Sequence, residues 1–189
     1  TSKDMIHWQP AQKLSLGGTN SNILNRTIVY DSKKTTFYAL FIVDSDKNEE
    51  NNNAHFQLAY STNQGKTWSE SPEKVEFPIQ FKNECNPSVC WVDMIGKWVM
   101  TIVDDQTVKF FSSTNLTKWK FESSYEKELQ YTTNMWLKAS IFPINKGADW
   151  VMLVDQEFVN PRDGSSVQYF IGTFDGQKFT SPISTKSLW

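Results

Sequence analysis

Ser61-Thr-Asn-Gln-Gly-Lys-Thr-Trp68 is one of four stretches with a common layout, and that repetition decides the fold. The others are Thr1-Ser-Lys-Asp-Met-Ile-His-Trp8, Ser113-Thr-Asn-Leu-Thr-Lys-Trp119 and Thr173-Phe-Asp-Gly-Gln-Lys-Phe179. Each opens on a small hydroxylated residue, passes through Asp, Asn or Gly, which close tight turns, and ends on an aromatic. The closing aromatics recur about every 50 to 60 positions. Between them run short segments rich in β-branched and aromatic residues: Thr27–Tyr30, Phe37–Val43, His55–Tyr60, Trp98–Val103, Val108–Ser112, Trp150–Val154 and Gln168–Phe174. Asp44-Ser-Asp, Ile95-Gly96 and Asp175-Gly176 punctuate them as turns. No segment keeps a helical period beyond about two turns, so α/β architectures are disfavoured.

Strands in groups of about four, repeated at this spacing, predict an all-β partial propeller of about three blades plus one strand. Blade-like repeats are expected over 13–76, 77–125 and 126–183. A stray blade-end strand precedes them in 1–12, and 184–189 forms a tail. A β-sandwich with coincidentally similar turns is the competing architecture. The polar run Asp46–Asn53 reads as a solvated hairpin loop.

Composition narrows the partners. The 189 residues include eight Trp, thirteen Phe and six Tyr, which suit pleated, half-buried surfaces. Net charge is −2, and the basic residues are scattered. A nucleic-acid partner requires a concentrated basic field, so that class is set aside. No run reaches the roughly 20 apolar residues of a membrane helix, so no membrane partner is expected. The first residues lack the layout of a signal peptide, which leaves a mature or a truncated product open. Asn25-Arg-Thr27 and Asn115-Leu-Thr117 are glycosylation acceptors in a secreted protein, and secretion is the expected location.

Cys85 and Cys90 are five apart, on opposite faces of a straight strand and too distant to bridge. A turn at Asn86-Pro87 would bring them together, so a disulfide stays open although separate thiols are favoured. The two histidines, His7 and His55, stand apart from the cysteines, and no metal spacing or cofactor motif is present.

Three further segments carry a family resemblance. Asn86-Pro-Ser-Val-Cys-Trp91, followed by Gly96-Lys-Trp-Val-Met100, is similar to the Arg-Asp-Pro-Lys-Val-Phe-Trp and Lys-Trp-Val-Met segments of glycoside hydrolase family 32, the invertases and fructanases. Met135-Trp-Leu-Lys-Ala-Ser-Ile-Phe-Pro143 resembles that family's Met-Trp-Glu-Cys-Pro-Asp-Phe-Phe-Pro. Gln168-Tyr-Phe-Ile-Gly-Thr-Phe-Asp-Gly176 resembles its fourth-blade strand and turn, and Ser2–Trp8 the end of its first blade. The resemblance covers nearly the whole chain in the same motif order and implies a five-bladed propeller.

It also implies a retaining reaction on two nearby carboxyl groups, with a third carboxylate stabilising the transition state. The nucleophile's Asn-Asp-Pro-Asn-Gly segment belongs to the start of the family's first blade, ahead of the part that Ser2–Trp8 resembles. Asn86 occupies the stabiliser position, with Cys85 in place of its neighbouring Arg. Leu137 occupies the acid/base position and neither donates nor accepts a side-chain proton. Lys138 and Ser140 replace that motif's Cys and Asp. Spare carboxylates at Glu84, Asp104, Asp105, Asp155 and Glu157 read as surface or turn groups rather than a recruited pair.

The expected function is therefore a catalytically inactive relative, a carbohydrate-binding or protein-interaction module. Asn86, Trp91 and Trp136 are its ligand-binding candidates, for a sugar or fructan, although each Trp also suits a blade core. The alternative is a fragment of a β-fructofuranosidase whose nucleophile lies on another segment. Open blade edges predict self-association or a partner chain, with the strand near Met5–Trp8 completing a partner's sheet.

Overall fold

The structure, a computed structural model, describes residues 2, 4–8, 22–44, 54–71, 73–80, 85–126, 135–157, 165–182 and 186–188. Asp46–Asn53 and Glu84 lie outside the described residues. Three antiparallel sheets follow one another along the chain. The first contains β1 (Asn22–Asp31), β2 (Thr36–Asp44), β3 (His55–Ser61) and β4 (Ser69–Glu70), paired in that order. The second contains β5 (Ser88–Val92), β6 (Lys97–Asp104), β7 (Thr107–Ser113) and β8 (Lys120–Glu126), likewise in order. The third contains β9 (Met135–Ile144), β10 (Asp149–Glu157), β11 (Ser165–Phe174) and β12 (Phe179–Thr180). The short β13 (Lys186–Leu188) also pairs with β11, at Val167–Tyr169. Each sheet contains a four-stranded meander, the unit of a propeller blade, to which β13 adds a fifth strand in the third.

The middle blade is packed on both sides. Trp98, Met100 and Ile102 of β6 join Leu40, Ile42, Phe56 and Leu58 of the first blade in one core cluster. Val99 and Val103, on the opposite face of β6, join Trp136, Trp150, Met152, Val154 and Phe170 of the third. A strand buried on both faces has no polar face to alternate with, which is why Trp98–Val103 is an almost unbroken apolar run. Burial of each large side chain here contributes about 1.5–3 kcal/mol.

The repeated turn motif has one physical construction. Ser61 Oγ donates to Asn63 Oδ1 at 2.9 Å, that oxygen accepts Thr67 N, and Trp68 Nε1 donates to Gly65 O at 3.1 Å. Ser113, Asn115, Lys118 and Trp119 repeat the set, with Trp119 Nε1 donating to Leu116 O at 2.9 Å. Ser2, Asp4, His7 and Trp8 repeat it again, with Trp8 Nε1 donating to Met5 O at 3.1 Å. In the fourth copy Asp175 Oδ1 accepts the N–H groups of Gln177 and Lys178, and the Phe179 ring has no N–H to give. All four copies place a residue in the left-handed region: Met5, Gln64 with Gly65, Leu116 and Gly176.

These turns join the third and fourth strands of the three blades. Among the described residues the N-terminal copy is a turn closed by a bridge between Ser2 and Trp8, with Met5–His7 inside that turn, and 9–12 of the expected stray strand lie outside the described residues. Trp119 and Phe179 are buried, whereas Trp8 is 67% exposed.

Candidate functional site

β1, β5 and β9 are the first strands of their blades, and β5 lies against both β1 and β9. A parallel bridge between Asn86 and Lys138 fixes β5 and β9 in the same direction. Their beginnings therefore share one end of the assembly, and the resembling motifs meet there. Asn25 Nδ2 donates to Asn86 Oδ1, and Asn86 Nδ2 donates to the Leu137 carbonyl at 3.1 Å. One amide thus ties three blades together.

Local backbone irregularity makes these contacts available. β9 pairs Trp136 with Gln156 and Lys138 with Asp155, so Leu137 is the extra residue of a β-bulge. In the same way Leu24 is bulged out of β1 immediately before Asn25. A bulge releases backbone groups from the ladder and re-aims them, here freeing the Leu137 carbonyl to accept from Asn86. Deeper along the strands the polar contacts are again neutral. Ser140 Oγ donates to Ser88 Oγ at 3.0 Å, and Thr101 Oγ1 donates to the Ala139 carbonyl at 2.6 Å.

Cys85 and Cys90 are free thiols, not the disulfide that a turn at Asn86-Pro87 left open. Cys85 belongs to the core between the first two blades, and Cys90 packs against the core between the second and third. Burial pushes the Cys90 thiol up to about 12. Burial, with a smaller contribution from the charge of Asp104, does the same for Cys85. Neither supplies a thiolate nucleophile near neutral pH.

β6 and β10 run opposite to β5 and β9, which brings Asp104, Asp105, Asp155 and Glu157 to this same end of the blades. Asp104 is held by Lys109 at 2.6 Å. Among the described residues no three His, Cys, Asp or Glu side chains cluster as a metal site.

The two tryptophan candidates part company with Asn86. Trp136 is 5% exposed and meets Phe170 edge-on in the core. Trp91 lies at the far end of β5, edge-on to Trp98, with its Nε1 donating to Asp93 Oδ1 at 2.7 Å. Conversely, Asn25 was visible in the sequence only as a glycosylation acceptor. Its place at the start of a first strand, matching that of Asn86, is the signal that would have put it in the site. Asn115, the other acceptor, is exposed on the β7–β8 turn.

Three four-stranded blades whose first strands converge at one end define a β-propeller segment. The whole of residues 1–188 matches the glycosyl hydrolases family 32 N-terminal domain, and the chain belongs to that family. It is 29% identical to an invertase of Debaryomyces hansenii, covering 95% of this chain and 36% of the invertase. It is 24% identical to a levanase of Bacillus subtilis, covering 100% of this chain and 29% of the levanase. The structure is similar to β-fructofuranosidase from Schwanniomyces occidentalis complexed with fructosyl-erythritol, with TM-score 0.76 and 23% identity. That likeness covers 98% of this chain and 39% of the enzyme. The chain thus spans about a third of the length of these relatives.

Proposed function

We propose that this chain is a non-catalytic member of its family, a module that binds hydroxylated, sugar-like ligands at the Asn25–Asn86–Leu137 end of the propeller. The observation that carries this reading is the double engagement of Asn86. Its amide oxygen accepts from Asn25 and its nitrogen donates to the Leu137 backbone, so a neutral crosslink stands at positions that the sequence resemblance assigns to charged catalytic groups. Amides and hydroxyls exchange hydrogen bonds with a sugar, yet they supply no proton-transfer group with a pKa near neutrality. Two relatives carry names that point to the ligand class, an invertase and an extracellular exo-inulinase. The second also supports secretion as the setting.

The alternative is one segment of a larger β-fructofuranosidase. It draws support from the chain's covering only 36% of the Debaryomyces hansenii invertase. Titration with fructose, sucrose and inulin beside a fructose-release assay separates the readings. Binding without turnover supports the module. Turnover by this chain ends it, and absence of any sugar binding leaves protein interaction as the role.

A further inference from the structure

We infer that the propeller has a second ligand site at its opposite end, a cleft between the second and third blades that takes a single neutral sugar ring. The cleft holds about 370 Å³ and is lined by Trp91, Val92, Asp93, Met94, Pro143, Lys146, Gly147 and Trp150. Its walls are two hairpin turns, residues 93–96 after β5 and 145–148 after β9. Seven residues of extended chain separate Asp93 from Asn86, about 20 Å, so this is not the amide cluster described above.

Three features suit the cleft to a sugar. The first is aromatic and apolar surface on several sides, from Trp91, Trp150, Met94 and Pro143, which matches the C–H face of a sugar ring. The second is a donor and an acceptor of opposite charge in one lining, Lys146 and Asp93. Both hydrogen-bond hydroxyl groups, and their opposite charges favour no net charge on the ligand. The third is Trp150, which is 3% exposed and whose indole N–H has no hydrogen-bond partner among the described residues. A buried donor without an acceptor is costly, and a ligand hydroxyl that reached it through a small shift of the Trp150 ring would relieve that cost.

The walls are also held in place before any ligand arrives. Trp91 is fixed by its bond to Asp93, and Lys33 lies over its ring at 5.2 Å. The 93–96 turn is braced from the third blade: a Cβ on Gly176 would stand 2.4 Å from Ile95 Cγ2, so these turns touch with no room between them. Asn145 and Lys146 both adopt left-handed backbone, and Asn145 Nδ2 donates to Asp149 Oδ2 across the second turn. A cleft with fixed walls loses little ordering entropy when it takes up a small ligand.

The test is NMR titration of the whole chain with glucose, galactose, mannose, fructose and N-acetylglucosamine, reading the indole N–H signals. At least one sugar should shift the Trp91 and Trp150 signals with millimolar affinity. Met94→Arg fills the cleft from an exposed position, and Lys146→Ala removes its donor. Each should weaken that shift roughly tenfold or more. Asn86→Ala should leave it unchanged, which separates this site from the amide cluster. Absence of any indole shift across the panel overturns the inference. So does a shift that persists unaltered in Met94→Arg, or one that disappears in Asn86→Ala.

Discussion

Asn25 and Asn86, 61 residues apart in the chain, hydrogen-bond side chain to side chain across the junction of the first and second blades. The bond joins the starts of two first strands. It also explains why a neutral residue suits position 86: a carboxylate there would keep the bond from Asn25 and lose the one to Leu137.

The first prediction follows directly. Asn86→Asp sets a carboxylate oxygen against the Leu137 carbonyl, which now accepts from Asn86 Nδ2 at 3.1 Å. Two facing acceptors with no proton between them should cost about 1–3 kcal/mol of stability. The double variant Asn86→Asp with Leu137→Glu should be destabilised in urea and should still release no fructose from sucrose or inulin. Fructose release by the purified double variant would show that another group acts as nucleophile.

A second prediction concerns glycans. The atom that carries an N-glycan is the side-chain nitrogen, and at Asn25 that nitrogen donates to Asn86 in a part-buried setting, so a glycan on its second N–H position would crowd the junction of two blades. Asn115 spends its Oδ1 on the β7–β8 turn and is exposed. Expressed through a eukaryotic secretory pathway, the folded protein should carry a glycan at Asn115 and none at Asn25. Glycopeptide mass spectrometry reads both sites, and an occupied Asn25 would contradict the amide cluster.

The contrast between these two acceptors shows what the sequence made legible. The seven segments read as strands all lie in strands, because each is dense in β-branched and aromatic residues. β8, with Lys120, Glu122, Ser123 and Ser124, was not among them. It is the last strand of its blade, exposed along much of its length, and an edge needs few apolar residues. β9 carries Lys138, Ser140 and Pro143, and its bulge at Leu137 breaks the alternation that would have marked it. The site was half legible for a related reason. The motif placed Asn86 and Leu137, whereas Asn25 reaches them only through the packing of separate blades. Trp91 and Trp136 stood near these residues in sequence, but strand length carried the first away and face alternation turned the second into the core.

The third prediction tests the repeated turn. Trp119 Nε1 donates to the Leu116 carbonyl in a buried setting, and the fourth copy manages the same position with Phe179. Trp119→Phe should therefore fold normally while losing about 1–3 kcal/mol, since a buried carbonyl loses its donor. Denaturant unfolding measures the loss. A stability equal to that of the parent would mean that the indole bond contributes nothing to the turn.

The fourth prediction is a pH effect at the same motif. The backbone N–H groups of Lys178 and then Gln177 hold the Asp175 carboxyl below its ordinary value. A depressed folded-state pKa adds stability that is present above the unfolded value of about 3.9 and is lost as pH falls through the lower folded value. Because Asp175 is exposed, solvent screening keeps the effect under about 1 kcal/mol. The advantage of the parent over Asp175→Asn should be present at pH 6 and shrink toward zero as the solution is acidified below pH ~3. A difference that is constant across that range would remove the carboxylate's charge from the explanation.

The last prediction concerns assembly. The middle blade has a neighbour on each side, but the far face of the third blade carries a partly exposed apolar surface. Phe142, Val151 and Ile171 stand side by side across β9, β10 and β11, with Leu153 and Tyr169 in a neighbouring row. Phe142 and Ile171 are each 41% exposed, whereas Met152 and Phe170, on the near face of the same strands, are at 0% and 2%. At the other end of the chain Met5, Ile6 and Trp8 are 81%, 77% and 67% exposed on the N-terminal turn. Apolar sheet surface of this kind gains by leaving water, and a second copy of the chain offers a similar surface to meet it. Light scattering at micromolar concentration should give a mass above 21.9 kDa. Ile171→Glu, which puts a charge in the row without touching the near-face core, should return the chain to that mass. A parent protein that is already a 21.9 kDa monomer with cooperative unfolding would show that these faces are stable in water on their own.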